Sequence, residues 1–163
     1  MFHVVLVEPE IPQNAGNIAR TCAATGCVLH LVRPLGFEVT DKYLKRAGLD
    51  YWHLVDVRYH DSFEELEKEN PEAKFYFFTT KARKVYAEAQ FREGDFLVFG
   101  KETRGLDEEL LVKHAETCLR IPMIGESRSL NLSNSVAIAV YEGLRQNKFG
   151  ALRTKGKLHR LRW

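Results

Sequence analysis

Short apolar runs rich in Val, Leu and Phe recur along the chain, separated by stretches in which apolar residues return every three or four positions. The runs at 2–7, 28–32, 52–57, 74–79, 96–99 and 118–121 predict strands. Several are apolar at successive positions, as expected when helices cover both faces of a parallel sheet. Between them, Ile18 and Cys22 stack four apart beside Ala19 and Ala23, and Gly26 follows as a helix stop. Ser62 with Glu65 three residues on forms a capping-box pattern before Leu66. Asp107, Glu108 and Glu109 place acid at the start of a helix containing Leu110 and Leu111. The last strong pattern spans 133–146, with Val136, Ala139, Val140 and Leu144 on one side and Ser133 or Asn134 as its cap. Alternating strands and helices predict an α/β fold with a parallel sheet, in which ligand sites lie in the loops at the C-terminal ends of the strands.

Composition narrows the picture. At 163 residues, with 45% hydrophobic and 28% charged, the chain reads as one globular domain that buries enough surface to need no metal or disulfide. No apolar run approaches the ~18 residues of a membrane span, and 1–3 lacks the basic start of a signal peptide, so a cytoplasmic location is expected. Cys22, Cys27 and Cys118 have no CxxC spacing and read as buried thiols rather than metal ligands. Net charge is +2, unevenly placed. Residues 150–163 hold Arg153, Lys155, Lys157, Arg160 and Arg162 with no acid, leaving 19 Lys and Arg against 22 acids in residues 1–149. That basic extension is either a contact for a polyanion such as RNA or a solvated terminus.

Several chemistries are excluded by spacing. No two glycines are two apart, so GxGxxG is absent. Gly100 and Gly105 give GxxxxG, but Leu106 and Asp107 stand where a phosphate-binding loop needs Lys and Ser or Thr. Neither GxSxG nor HExxH occurs, and His30 inside an apolar run reads as a hydrogen-bonded core residue.

Three polar segments follow predicted strands. In 8–20, two prolines stiffen a loop that delivers Asn14, Asn17 and Arg20 at a helix start. Either Asn14 and Asn17 cap the helix and Arg20 pairs with a surface carboxylate, or, with Asn17 and Arg20 on one face, the arginine grips a phosphate or a ribose. In 99–106, glycines flank Lys101, Glu102, Thr103 and Arg104, which suits an ordinary charged turn and a tight ligand-approaching loop equally. In 121–135, hydroxyl and amide groups exceed what one helix cap requires, which suits recognition of a polar ligand.

Together these segments resemble the three motifs of the SPOUT, or alpha/beta-knot, superfamily of RNA methyltransferases. Within it, the match is to the small bacterial tRNA ribose 2′-O-methyltransferases acting on the wobble nucleotide. The resemblance runs from about Phe2 to Gln146 and includes EPEIPQNAGNIAR, KRAGLDYWH, FGKETRGL, and RIPM followed by SRSLNLSNSVAIAVYE; Ala15, Lys101 and the basic extension after Phe149 depart from the pattern. It implies one domain over 1–149 with a C-terminal trefoil knot, followed by the extension at 150–163. It also implies a homodimer, no metal, and a tRNA anticodon stem-loop as partner. S-adenosyl-L-methionine would be held by Phe78, Thr79, Gly100, Glu102, Ile121, Met123, Ser129 and Leu130, and S-adenosyl-L-homocysteine released.

The resemblance nominates Arg20 for the ribose 2′-OH proton. A free guanidinium, with a pKa above ~12, is a poor base, so Arg20 either acts as base with help from its surroundings or orients the ribose while the proton leaves otherwise. Asn14 would position Arg20 or the ribose, Glu102 would orient Arg20 or the ligand, and Ser129 with Asn131 would hold the reacting groups. Tyr141 would assist at the dimer interface, its alternative being packing. Two other readings are ribose methylation of rRNA and a non-catalytic knotted RNA-binding protein; the presence of Asn14, Arg20, Glu102, Ser129 and Asn131 speaks against the second. With residues 1–149 net negative, RNA contact would need local basic faces, for which Lys42, Lys45 and Arg46 are candidates.

Overall fold

The computed structural model describes residues 1–40, 42 and 52–163. Lys42 is exposed, whereas Lys45, Arg46 and most of the KRAGLDYWH stretch lie outside the described residues. Among the described residues six strands, β1 (His3–Val7), β2 (Val28–Val32), β3 (Val57–His60), β4 (Phe75–Phe78), β5 (Phe96–Phe99) and β6 (Cys118–Leu119), form one sheet in the order β3-β2-β1-β5-β4-β6. Every pairing is parallel.

The unbroken apolar runs have the expected cause, because both faces of the sheet are covered. On one face, Val4, Leu6, Leu29, Leu31 and Leu97 pack with Ile18, Ala19 and Cys22 of α1 (Pro12–Thr25) and Val136, Ala139 and Val140 of α4 (Leu132–Gln146). On the other, Val5, Phe75, Phe77 and Val98 meet Phe63 and Leu66 of α2 (Phe63–Glu69) and Leu111 of α3 (Glu108–Lys113). Successive residues of each strand thus serve opposite layers. Gly26 ends α1 at φ 74°, its N–H donating to the Cys22 carbonyl at 2.8 Å. Ser62 caps α2, accepting from Glu65 N–H at 3.1 Å. All three cysteines are buried free thiols.

One expected strand is displaced. Residues 52–57 do not extend together: Trp52–Leu54 is a 3-10 turn and the strand is Val57–His60. Trp52 and Val55 pack against the core from a loop, so their apolarity signals burial rather than extension. The strand itself alternates, with Val57 and Tyr59 facing the first cluster and His60 the opposite layer.

That opposite layer carries a ladder of imidazoles across three strands. His3 Nδ1 lies 2.8 Å from His30 Nε2, His30 Nδ1 lies 3.0 Å from His60 Nε2, and His60 Nδ1 is 3.5 Å from a Glu69 oxygen. One neutral tautomer, protonated at Nδ1, satisfies the whole series, His30 and His60 accepting at Nε2 and the last ring donating to the carboxylate. A second proton on His30 would face its neighbour's N–H. Burial first, then His3, His60 and Arg58, pushes the His30 pKa down to about 3 from an ordinary 6.5. The unfolded chain therefore takes up this proton near pH 6.5 and the folded chain does not. Stability contributed by His30 is complete above that pH and declines as pH falls toward 3. At about pH 5 the expected loss from His30 is about 2 kcal/mol. Urea unfolding at about pH 7.5 and 5 checks this: the wild-type midpoint should fall and His30→Gln should flatten the dependence, whereas a pH-independent wild-type midpoint would count against it.

Among the described residues, no helix is long and apolar enough to cross a membrane, and no group of three His, Cys, Asp or Glu side chains is placed to hold a metal ion.

Candidate active site

The sheet order places β1 between β2 and β5, so the segments leaving β1 and β5 open a crevice at their C-terminal ends, where parallel sheets bind ligands. The backbone turns sharply there: Glu8, directly after β1, sits at φ 52°, a left-handed conformation that costs a non-glycine residue energy. Its carboxylate lies 3.5 Å from Lys101 Nζ across the crevice. Lys101 thus ties the loop after β1 to the loop after β5.

Glu102 makes the stronger tie. One of its oxygens accepts from Glu10 N–H at 2.8 Å, and the other accepts from Ile11 N–H at 3.1 Å and Asn14 Nδ2 at 3.4 Å. The start of α1 is therefore satisfied by a carboxylate from another loop. Ile11 is the N-cap, without a side-chain cap bond, and Pro12 opens the helix. Asn14 and Asn17 do not cap it, because both lie inside its first turns. Asn14, 6% exposed, spends its amide on Glu102 and, through Oδ1, on Asn131 Nδ2 at 3.0 Å.

Asn131 is the cap of α4, not Ser133 or Asn134. Its Oδ1 accepts from Ser133 N–H at 2.9 Å, Asn134 N–H at 3.3 Å and the Ser133 hydroxyl at 2.6 Å. The helix starts one residue earlier than its apolar periodicity, so the cap falls earlier too. Glu102, Asn14 and Asn131 thus form one chain of hydrogen bonds joining all three polar segments.

Sequence reasoning gave Glu10 no role. Its carboxylate accepts from Thr103 N–H at 3.2 Å and the Thr103 hydroxyl at 2.7 Å, which hold its pKa below the usual carboxylate range. The signal was present in its place within EPEIPQN, between two prolines.

Beside this network lies a cleft of about 500 Å³. Phe78 at the end of β4 with Thr79 after it, Gly100 and Glu102 after β5, Ile121 and Met123 after β6, and Ser129 and Leu130 before α4 all line it, with Asn14 and Asn131. Phe78 stacks on Phe99, ring centroids 4.8 Å apart. The loop after β4 is held by the Arg120 guanidinium, which donates to the Thr80 carbonyl, and by Tyr86 N–H, which donates to the Arg120 carbonyl at 2.9 Å.

Arg20 and Tyr141 lie elsewhere. With Asn17, Thr21, Ser133 and Asn134 they line a second hollow, of about 340 Å³, between α1 and α4. The shared face of Asn17 and Arg20 is as the spacing predicts. Tyr141 is 48% exposed, so it is not a core packing residue. Within this chain the structure brings Asn14, Glu102, Ser129 and Asn131 to the cleft and leaves Arg20 and Tyr141 on the neighbouring helix face.

Comparison with known proteins agrees with this architecture. The model of the SpoU rRNA Methylase family matches residues 1–141. The chain is similar to the tRNA (cytidine(34)-2′-O)-methyltransferase of Saccharophagus degradans, 50% identical over 150 residues that cover 91% of this chain and 97% of that protein. It is likewise similar to the Escherichia coli K12 protein of the same name, 49% identical over 148 residues covering 90% and 94%. A solved structure described as giving insights into the 2-OH methylation of C/U34 on tRNA superposes with a TM-score of 0.85 at 52% identity, covering 91% of this chain and 97% of that one. With the family model covering most of its length and relatives at half identity nearly end to end, the chain belongs to the SpoU methylase family.

Proposed function

We propose that this protein transfers a methyl group from S-adenosyl-L-methionine to the ribose 2′-OH of the wobble cytidine or uridine in a tRNA anticodon loop. The observation that carries the reading is the hydrogen-bonded chain Glu102–Asn14–Asn131, which fastens three strand-end loops around one cleft in a member of a methylase family. The cleft suits the cofactor: its volume is in the range of small-molecule sites, Phe78, Ile121 and Leu130 offer apolar surface to an adenine, and Gly100 presents bare backbone. When bound, S-adenosylmethionine supplies a methyl already activated as a sulfonium and leaves as S-adenosylhomocysteine.

What remains for the protein is alignment of the 2′-oxygen and disposal of its proton. Glu102, through Glu10 N–H and Ile11 N–H, fixes the start of α1, the helix that carries Arg20. Arg20 either takes the proton or holds the ribose and adjoining phosphate while the proton passes to phosphate or water. Its position outside the cleft of its own protomer favours a homodimer in which the exposed α1–α4 face meets a second copy, bringing Arg20 and Tyr141 of one subunit toward the other's cleft. The path of the chain supports the trefoil knot. β6 lies at the sheet edge beside β4, whereas α4 packs against α1 and β5, so residues 120–131 cross the ends of β4 and β5.

The test is transfer of labelled methyl from S-adenosylmethionine to total tRNA from a strain lacking this protein, with nucleoside mass spectrometry. The expected product is 2′-O-methylcytidine or 2′-O-methyluridine at the wobble position. Transfer only to rRNA would move the substrate, and cofactor binding without transfer to any RNA would defeat the reading.

A further inference from the structure

Residues 150–163 take no part in the site just described, and their properties are unlike those of the rest of the chain. They contain five Lys and Arg and no acid, whereas residues 1–149 carry an excess of acid. Every residue from Arg153 to Trp163 is exposed, with Leu161 71% and Trp163 95% exposed. Among the described residues, none forms an ion pair with this segment, and the last backbone bond into it is Leu152 N–H to the Phe149 carbonyl at 2.9 Å. Its root, by contrast, is fixed. Lys148 and Phe149 turn the chain through φ 55° and 59°, and Phe149 and Leu152 pack against the core. A basic, aromatic-bearing arm is thus mounted firmly at one end and held to the body nowhere else.

We infer that residues 150–163 are a second tRNA-binding element, gripping phosphates away from the nucleotide being modified; this rests on the function proposed above. The placement follows from α4. Its first turn touches the cleft through Asn131, and its last is anchored by Asn147 Nδ2 donating to the Phe91 carbonyl at 3.0 Å, in the segment leading into β5 at the opposite, N-terminal end of the strands. Fifteen residues of helix separate the two by about 22 Å. The arm, about 45 Å long when extended, is therefore rooted far from the reacting ribose and reaches outward. RNA suits it better than other polyanions because the proposed reaction already brings a tRNA to the same molecule. A tethered cationic segment then meets its phosphates at high effective concentration, and Trp163 can stack on an unpaired base. The arm raises affinity without touching chemistry.

The experiment replaces Arg153, Lys155, Lys157, Arg160 and Arg162 together by Gln and measures tRNA affinity over a salt series, methyl-transfer kinetics and S-adenosylmethionine affinity. Phosphate contacts release counterions, so the slope of log affinity against log salt should shrink in magnitude by about 3.5 to 4.5 if all five engage, and Kd at low salt should rise at least about tenfold. KM for tRNA should rise in step while kcat and cofactor affinity stay unchanged. Trp163→Ala should weaken binding with the salt slope intact. If the full chain methylates tRNA and the quintuple variant keeps its Kd and slope, the arm is not an RNA contact although the enzymatic reading stands. A fall in kcat at saturating tRNA would overturn the remote placement. Stronger arm-dependent binding to phosphatidylserine vesicles than to tRNA at equal salt would reassign the partner, and a full chain that neither binds nor methylates tRNA would defeat both proposals.

Discussion

Arg20→Ala is expected to reduce methyl transfer to tRNA by about 10²–10⁴-fold, the usual contribution of a positioned proton-transfer group, while leaving S-adenosylmethionine affinity within about twofold. The separation of the two effects comes from geometry. The cofactor residues line the cleft, whereas Arg20 sits in the hollow between α1 and α4, so removing its side chain takes nothing from the cofactor wall. Arg20→Lys then distinguishes the two versions of its role. A lysine keeps the charge, and its pKa of about 10.4 lies below that of a guanidinium, but it loses the planar fork. If Arg20 acts by holding ribose and phosphate in a fork, the lysine variant should be nearly as impaired as the alanine. If it acts as the base, the lysine variant should recover activity as pH rises. Mixed dimers add a third reading. Arg20→Ala subunits combined with subunits disabled in the cleft should regain activity if each site draws Arg20 from the opposite copy. Loss of cofactor binding in Arg20→Ala, measured by calorimetry, would show that the residue belongs to the cleft after all.

The parallel sheet was legible in the chain because its strands are apolar on both sides, a pattern that few other architectures require. The same signal misled at residues 52–57, where Trp52 and Val55 are half-buried against the core from a turn while the true edge strand carries Arg58 and His60. Apolarity records burial, and only at the sheet centre do burial and extension coincide. The three polar segments were recognisable singly, but their connection was not. Asn14 and Asn131 are 117 positions apart, and the hydrogen bond between them leaves no trace in local spacing. The caps failed for a related reason: the start of α1 is satisfied by Glu102 from a distant loop, so the nearby asparagines were free for other partners. The position of Arg20 relative to the cleft is likewise a property of how α1 is seated, which periodicity along α1 cannot express.

Gly100→Ala is expected to reduce S-adenosylmethionine affinity by at least about 10²-fold, whereas Gly105→Ala, at the other end of the same loop, should change it little. The sequence pattern marks both glycines alike, as permitting a tight turn, but the structure gives them different reasons. At Gly100, which is buried, an added Cβ would lie 2.1 Å from the Gly105 carbonyl carbon and 2.4 Å from the Leu106 nitrogen. Both obstacles are backbone, held in place by Gly105 N–H donating to the Lys101 carbonyl at 2.9 Å, so no side-chain rotation relieves the clash. The loop must shift by about 1 Å, a displacement of the size that costs about 10²-fold at a positioned site. Because Glu102 lies in that loop, the shift also pulls its carboxylate from Glu10, Ile11 and Asn14. The overpacking should lower stability by about 1–3 kcal/mol. Gly105 has open space around its Cβ position but φ at +69°. An alanine there meets only the left-handed backbone cost of about 1–2 kcal/mol, with the loop and its carboxylate in place. Calorimetry of cofactor binding alongside thermal unfolding separates the two: the first variant should lose binding and melt earlier, the second should melt earlier and still bind. Equal cofactor affinity in Gly100→Ala and the wild type would mean that the loop after β5 is not part of the cofactor wall, and the cleft would then have to bind through β4, β6 and the segment before α4 alone.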